Sequence, residues 1–323
     1  MPAEREIIAK IKRRARTTSG VKVGIGDDAA VIEERGDLEM LVCCDLMIEG
    51  VHFRPGDPFM IGRKSLAVTL SDIAAMGGHP QYALISLAIP QGSSAEFIDR
   101  FFDGLCDMAR WADVAIIGGD TSSSPGPMFV DTIVIGECFK GTAVRRSGAR
   151  PGNRIYVTGA LGASALGLRL LDEGVILDEA DSLQKAAMLK HLDPEPRCAF
   201  GRAIGLAGLA TAMIDISDGL SLDLNHILEE SNCGAIIDAP SIPVAESAGA
   251  LAEDALALAL HGGEEYELLF TASPHNHERI LNVSAMAGLP VALIGEITAG
   301  RGLRLRRGVV LEEIEPQGFE HSI

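Results

Sequence analysis

The sequence predicts an α/β protein of two similar-sized domains, and three observations predict it. At 323 residues the chain is about twice a usual domain length of roughly 150. Short apolar runs that end in Gly or Asp alternate with longer helical patterns. Between two β-rich runs lies Arg145-Arg146-Ser147-Gly148-Ala149-Arg150-Pro151-Gly152-Asn153, a polar stretch with three turn formers. It places a domain join near residue 148 and divides the chain into 1–148 and 149–323.

In chain order, MPAEREIIAKIKRRAR carries Ile7, Ile8 and Ile11 at helical spacing and lacks the apolar core of a signal peptide, so it predicts an amphipathic first helix. Its basic cluster, Lys10 to Arg16, reads as a solvated face. Strands are expected over 38–45 (LEMLVCCD), 81–90, 114–120 and 129–139, and helices over Gly62 to Met76 and Ser94 to Ala109. The second half repeats the order in kind. Strands are expected over 154–159, 211–216, 234–240, 266–272 and 291–297, with helices from Ala163, over 196–209, from Asp218, and over 251–260 and 275–287. The longest apolar stretch, Ala203 to Ile214, includes two glycines and falls short of the ~20 residues a membrane span needs.

Composition excludes further classes. With 45 Asp+Glu against 28 Lys+Arg the formal net charge is −17, which argues against a general nucleic-acid binder, because phosphate-backbone affinity comes from clustered Lys and Arg. Six cysteines (Cys43, Cys44, Cys106, Cys138, Cys198, Cys233) form no CxxC pair, and reduced thiols in a cytoplasm are the expectation. No G-x-x-x-x-G-K-[ST] loop, G-x-S-x-G elbow or kinase H-R-D is present. The glycines of VTGALGASALG (157–167) do not fit a dinucleotide fingerprint, and His275 and His277 have no zinc partner in register.

The positive signal is a set of aspartates at the ends of apolar runs: Asp27 and Asp28, Asp45, Asp72, Asp120, Asp215 and Asp218. In open α/β sheets, ligands gather beyond the carboxyl ends of strands. Helix capping is the alternative for Ser71-Asp72 and Ser217-Asp218 taken singly; five such placements together favour one shared site. Two carboxylates ~4 Å apart repel by about 4 kcal/mol at an effective dielectric near 20, so a convergent set requires cations. Hard oxygen ligands select Mg²⁺ or Mn²⁺, and Mg²⁺ beside glycine-flanked amides is the equipment for a nucleoside triphosphate. Arg145 and Arg146 are placed to add positive charge. Farther on, His261-Gly262-Gly263-Glu264-Glu265-Tyr266-Glu267 reads as a tight turn presenting a carboxylate at the start of a strand, with an exposed edge turn as the alternative. Glu49-Gly50-Val51-His52-Phe53 reads equally as a plain loop.

GIGDDAAVI (24–32), DLMIEGVHF (45–53), KSLAVTLSDIAAMGGHP (64–80), IIGGDT (116–121), RRSGARPGN (145–153), DISDGLSLDL (215–224) and HGGEEYELLF (261–270) resemble, in the same order and over nearly the whole chain, the thiamine-monophosphate kinase family of the aminoimidazole-ribotide-synthetase-like superfamily. The resemblance implies two α/β domains of the α+β type, with N-terminal domains paired in a homodimer and ATP with several Mg²⁺ in a cleft. The activity it implies is transfer of the ATP γ-phosphoryl group to thiamine monophosphate, giving thiamine diphosphate and ADP. By motif, Asp28, Asp45, Asp72, Asp120, Asp215 and Asp218 correspond to metal ligands. Gly119, Asp120, Arg146 and Ser217 correspond to nucleotide contacts, and His52, Glu264 and Phe319 to contacts with thiamine phosphate. Asp72, Asp218 and Arg146 are the residues it places at the transferred group. A phosphate monoester has a second pKa near 6, so the attacking oxygen is already anionic and the absence of a base–nucleophile pair is expected.

Two positions depart from the family pattern. Cys43-Cys44 stand where Ser or Thr pairs are usual, and neutral thiols are poor Mg²⁺ ligands; GGEEYEL has Glu265 where Asp is usual. The rival readings are another ATP-dependent synthetase of the superfamily and an inactive homologue that binds ATP and Mg²⁺. The N-terminus lacks the reactive Cys of the selenophosphate enzymes, and the GFEHSI ending lacks the cysteine of the hydrogenase-maturation relatives.

Overall fold

The computed structural model describes residues 20–33 and 36–319, together with Lys12. The amphipathic N-terminal helix expected around Ile7 to Arg16 lies, apart from Lys12, outside the described residues. Among the described residues, thirteen strands form two sheets. The first holds β1 (Val21–Val23), β2 (Ala30–Glu33), β3 (Leu38–Ile48), β4 (His79–Pro90), β5 (Ala115–Ser124) and β6 (Phe129–Phe139), in the order β1-β2-β3-β6-β4-β5. The second holds β7 (Arg154–Thr158), β8 (Ala210–Asp215), β9 (Gly234–Asp238), β10 (Leu268–Ala272), β11 (Val291–Thr298), β12 (Gly302–Arg307) and β13 (Val310–Ile314), in the order β13-β12-β9-β11-β7-β10-β8.

Pairing is antiparallel except between β4 and β5 and between β9 and β12. The sheets are therefore mixed and of the α+β kind, and the rule that ligands gather at the carboxyl ends of parallel strands does not apply as expected. Asp45 lies inside β3, in register with Thr132 of β6. Asp120 lies inside β5, in register with Ser86 of β4. Only Asp215 ends its strand, β8.

Helix α1 (Pro58–Ala75) positions the site. It starts where Asp57 accepts a hydrogen bond from the Phe59 N–H and Pro58 fills the first helical position, one turn before the expected start. Its sequence is apolar nearly all round, and the helix is buried along most of its length, as such a pattern demands. Helix α2 (Ala95–Trp111), capped by Ser94, crosses it at backbone contact: a Cβ on Gly62 would sit 2.0 Å from the Phe101 carbonyl oxygen, and one on Gly104 would sit 1.9 Å from that of Phe59. On one side α1 sends Leu66, Leu70 and Ile73 into the core of the first sheet. On the other, Ala74 and Ala75 join Tyr156, Phe200 and Phe270 in the core under the second. One helix thus belongs to both halves of the molecule.

The second half carries α3 (Ala163–Asp172), α4 (Ser182–Leu192), α5 (Cys198–Leu206), α6 (Leu220–Ser231), α7 (Glu246–Leu251), α8 (Ala255–His261) and α9 (His277–Ala287). Three expectations are corrected. The helix expected over 251–260 starts at Ala255, because Leu251 ends α7 and the Asp254 carboxylate caps the new start by accepting from the Ala257 N–H. The strand expected from 266 starts at Leu268, because Tyr266 sits at φ 50. The helix expected from Asp218 starts at Leu220, after Gly219 at φ 130. Helix α4 was not anticipated, although Asp181 and Gln184 form a reciprocal capping box at its start. Among the described residues no helix is long and apolar enough to cross a membrane, and all six cysteines are free thiols.

Candidate active site

A cavity of about 710 Å³ is lined from both halves of the chain. β3 and the loop after it supply Asp45 and His52, α1 supplies Asp72, the turn after β8 supplies Ser217 and Asp218, and the turn before β10 supplies Glu264 and Tyr266. Phe319, half exposed, closes one side, its N–H donating to the Asp218 carbonyl. The cavity thus brings together Asp45, His52, Asp72, Asp215, Ser217, Asp218, Glu264 and Phe319.

One wall is acidic. Carboxylate oxygens of Asp28, Asp72 and Asp215 lie within 4.8 Å of one another. Ser71 and Asp72 sit in the last turns of α1, so neither is an N-cap; Ser71 Oγ instead donates to Asp215 Oδ2 at 2.6 Å. Arg146 faces the cluster and donates from Nε and a terminal nitrogen to Asp28 Oδ1, at 3.2 and 2.6 Å. One guanidinium does not neutralise the group. Burial, reinforced by neighbouring carboxylates, pushes Asp45 up to about 6 and Asp215 up to about 7, and raises Asp72 well above the usual range. Asp28 Oδ2 is buried without a hydrogen-bond partner. Hard oxygen donors, mutual repulsion and an orphaned carboxylate oxygen fit a Mg²⁺ cradle.

Four expected residues do not line the cavity: Asp28 joins its acidic side through Asp72 and Asp215, and the other three stand elsewhere. Asp120 is exposed on β5, its carboxylate accepting from the Thr121 N–H, and it does not line the cavity. Gly119 beside it has a packing reason: a Cβ there would lie 1.9 Å from the Ile85 carbonyl oxygen of β4. Arg146 reaches Asp28 and does not line the cavity. The thiol of Cys43 points into the core, donating to the Thr69 carbonyl at 3.4 Å, while Cys44 lines the cavity. Ser217 and Asp218 do not cap α6; Asp223 in its first turn accepts from the Asp218 and Gly219 N–H groups.

The 261–267 turn adds Gly263, Glu264 and Tyr266 to the lining, and it is not an exposed edge. Its backbone is bonded to the turn after β8, Glu264 N–H to the Ser217 carbonyl and Tyr266 N–H to the Ile216 carbonyl. Each of its three glutamates has its own partners. Glu264 meets Lys64 Nζ at 3.1 Å and His191 Nδ1 at 3.1 Å. Glu265 Oε1 accepts from Gly162 and Ser164 N–H at the start of α3, the anion-binding end of a helix. Glu267 is bonded to Arg197, Lys190 at 2.7 Å and the Thr158 hydroxyl at 2.7 Å, which holds its carboxyl below the usual range despite burial. Sequence reasoning missed Lys64 and His191. Lys64 opened one of the seven blocks, but nothing local marks its ammonium as buried; His191 lies in the unread α4.

A model of AIR synthase related proteins, N-terminal domain, matches residues 26–138, and one of their C-terminal domain matches 150–308. The thiamine-monophosphate kinase of Escherichia coli O157:H7 is 38% identical over 98% of both chains, and that of Bacillus subtilis 36% identical over 98% of this chain and 99% of its own. Among solved structures, AaThiL complexed with AMPPCP and TMP superposes with a TM-score of 0.87 at 31% identity, covering 99% of this chain and 97% of that one. The thiamine-monophosphate kinase of Stenotrophomonas maltophilia gives 0.79 at 37% identity, with coverage of 94% and 96%. Escherichia coli HypE, a hydrogenase maturation protein, gives 0.72 at 20% identity over 97% of both, a likeness of fold alone. With both AIR synthase related domains matched and curated relatives aligned end to end above 30% identity, the chain belongs to the thiamine-monophosphate kinase family.

Proposed function

We infer that the chain transfers the γ-phosphoryl group of ATP directly to the phosphate of thiamine monophosphate, giving thiamine diphosphate and ADP. The observation that carries this reading is the cavity itself, whose lining combines carboxylates suited to Mg²⁺ and phosphates with His52, Glu264 and Phe319. When bound, Mg²⁺ would neutralise charge on the transferring group. Asp28, Asp45, Asp72, Asp215 and Asp218 would hold the ions, with Asp120 joining from β5. Gly119, Asp120, Arg146 and Ser217 would contact ATP; Arg146 adds the cationic charge beside Asp28. His52, Glu264 and Phe319 would hold thiamine monophosphate, whose phosphate oxygen attacks in line without a general base. Asp72 and Asp218, both in the cavity lining, would act at the transferred group.

The same reading divides the chain at residue 148, with nucleotide binding and dimerisation assigned to 1–148. A homodimer is supported by β5, an edge strand with Ile117 55% exposed and Ile116 also open, and by the exposed Tyr82 on neighbouring β4. A cytoplasmic location is consistent with six free thiols. Cys43 gives an inactive homologue no support, because its thiol faces the core, and of the pair Cys44 lines the cavity. The test is purified protein with ATP, Mg²⁺ and thiamine monophosphate, followed by chromatography. Thiamine diphosphate and ADP in equal amounts are expected; no product at any Mg²⁺ or Mn²⁺ concentration would overturn the reading.

A further inference from the structure

Lys64 is an odd residue to find on α1. Its side chain is 2% exposed, and a buried ammonium without compensation costs several kcal/mol. It is compensated by two groups from two different loops. Its Nζ lies 3.1 Å from Glu264 Oε1 and donates to the His52 carbonyl at 3.2 Å. The far oxygen of the same carboxylate, Oε2, meets His191 Nδ1 at 3.1 Å. Burial pushes His191 down to about 3, and Lys64 and Arg54 add to that, so the imidazole is neutral. Ser164 Oγ lies 3.2 Å from the same nitrogen, so Nδ1 faces both a hydroxyl and the carboxylate. Glu264 is therefore met on both oxygens, by the Lys64 ammonium on one and the His191 ring on the other.

The backbone argues the same way. Glu264 sits at φ 59, in the left-handed region that residues other than glycine rarely adopt. Surrounding contacts hold it there. Lys64 itself does not line the cavity, whereas Glu264, His52 and His191 do. It reaches substrate only through its neighbours.

We propose that Lys64 is a positioning residue for the phosphate acceptor: its ammonium fixes the Glu264 carboxylate against the His52 loop, joining two substrate-contacting segments into one wall, with His191 as the second clamp. The proposal rests on the placement of thiamine monophosphate at Glu264 and His52 given above. It assigns Lys64 to acceptor binding and not to the Mg²⁺–ATP wall, although Lys64 and Asp72 lie on the same helix.

The test is a double-mutant cycle on the full chain with Lys64→Met, Glu264→Gln and the two combined, reading KM for thiamine monophosphate, KM for ATP, kcat and the thermal midpoint. Both single changes are expected to raise KM for thiamine monophosphate roughly tenfold or more, with KM for ATP and kcat moving less than about threefold. The combined variant is expected to be no worse than the poorer single variant, because Lys64 acts through Glu264. It should also melt above Lys64→Met, since the carboxylate left unpaired by that change is gone. Equal loss toward ATP, multiplied losses in the combined variant, or an unchanged KM in Lys64→Met when Glu264→Gln raises it, would each overturn the proposal. Should Lys64→Met not fold, the combined variant against Glu264→Gln carries the test: equal KM supports it, and a further tenfold rise overturns it. An unchanged KM in Glu264→Gln would remove the substrate placement first, and the proposal with it.

Discussion

The aspartate cluster and the 261–267 turn both reach the cavity, the turn through Glu264 with Glu265 and Glu267 buried behind it, and they differ in how their charge is met. In the 261–267 turn every glutamate has protein partners of its own: Lys64 and His191 for Glu264, the start of α3 for Glu265, Arg197 and Lys190 for Glu267. In the aspartate wall, Asp28, Asp72 and Asp215 share a single arginine, and burial with mutual repulsion pushes Asp45, Asp72 and Asp215 upward. The first arrangement is met by the chain itself, apart from Glu265 Oε2, which is buried without a partner, and serves to place one side chain. The second is left short of positive charge by the chain and suits cations, which is why the proposed reaction assigns the exchange of charge to it.

The largest expected effect is on the unfinished wall. Asp72→Asn removes one charge from the cluster, so turnover should fall by orders of magnitude while the metal-free protein melts no lower than the parent, a repulsive charge having gone. Near-normal activity would take Asp72 out of the metal set. Glu267→Gln makes the opposite split: it leaves Arg197 and Lys190 underpaired in a buried site, at a cost of about 3–5 kcal/mol of stability, read by denaturant unfolding. A loss below about 1 kcal/mol would mean that the finished wall is not held by its ion pairs.

A pH series separates the walls next. Asp45 and Asp215, at about 6 and about 7, sit above the usual unfolded value near 4, so between those limits the folded protein binds more protons than the unfolded one. Stability from these groups is present at low pH and is lost as pH rises through about 6 to 7. The metal-free protein should therefore melt lower at pH 8 than at pH 5.5, and Mg²⁺ should raise the midpoint more at pH 8 than at pH 5.5. A Mg²⁺ effect that does not grow with pH would contradict a cation cradle at these aspartates.

How far the two walls could be read in the sequence differs for the same reason. The aspartates announce themselves because each follows an apolar run, and that local signal marked Asp28, Asp45, Asp72, Asp215 and Asp218. It also marked Asp120, which sits on the outer strand β5, because a run ending in Asp says nothing of which face or edge the strand occupies. The glutamates carry no such signal. Their partners lie far away in the chain, Lys64 some two hundred residues before Glu264 and Arg197 seventy before Glu267, so the turn reads as an exposed one until the fold is known. Long helices with regular spacing, such as α1 and α2, were legible nearly to their ends. The antiparallel pairing of most strands was not, since a β-run looks the same in either direction.

The smallest effect probes the position where the chain departs from its family pattern. Glu265 Oε1 takes both Gly162 N–H at 2.7 Å and Ser164 N–H at 3.1 Å, while Oε2 is buried without a partner, and burial pushes the carboxyl up to about 7. An aspartate is one methylene shorter, so Glu265→Asp draws the carboxylate back from the start of α3 and weakens one of those two bonds. The cost of one buried hydrogen bond is about 1 kcal/mol, offset in part by withdrawing an unsatisfied oxygen from the interior. The expected outcome is therefore a change in stability within about 1 kcal/mol, measured by denaturant unfolding. KM for thiamine monophosphate should move at most about twofold, since Glu264 is still held by Lys64 and His191. A tenfold rise in that KM would show that the finished wall depends on Glu265 as well, and that the α3 terminus sets the reach of the whole turn.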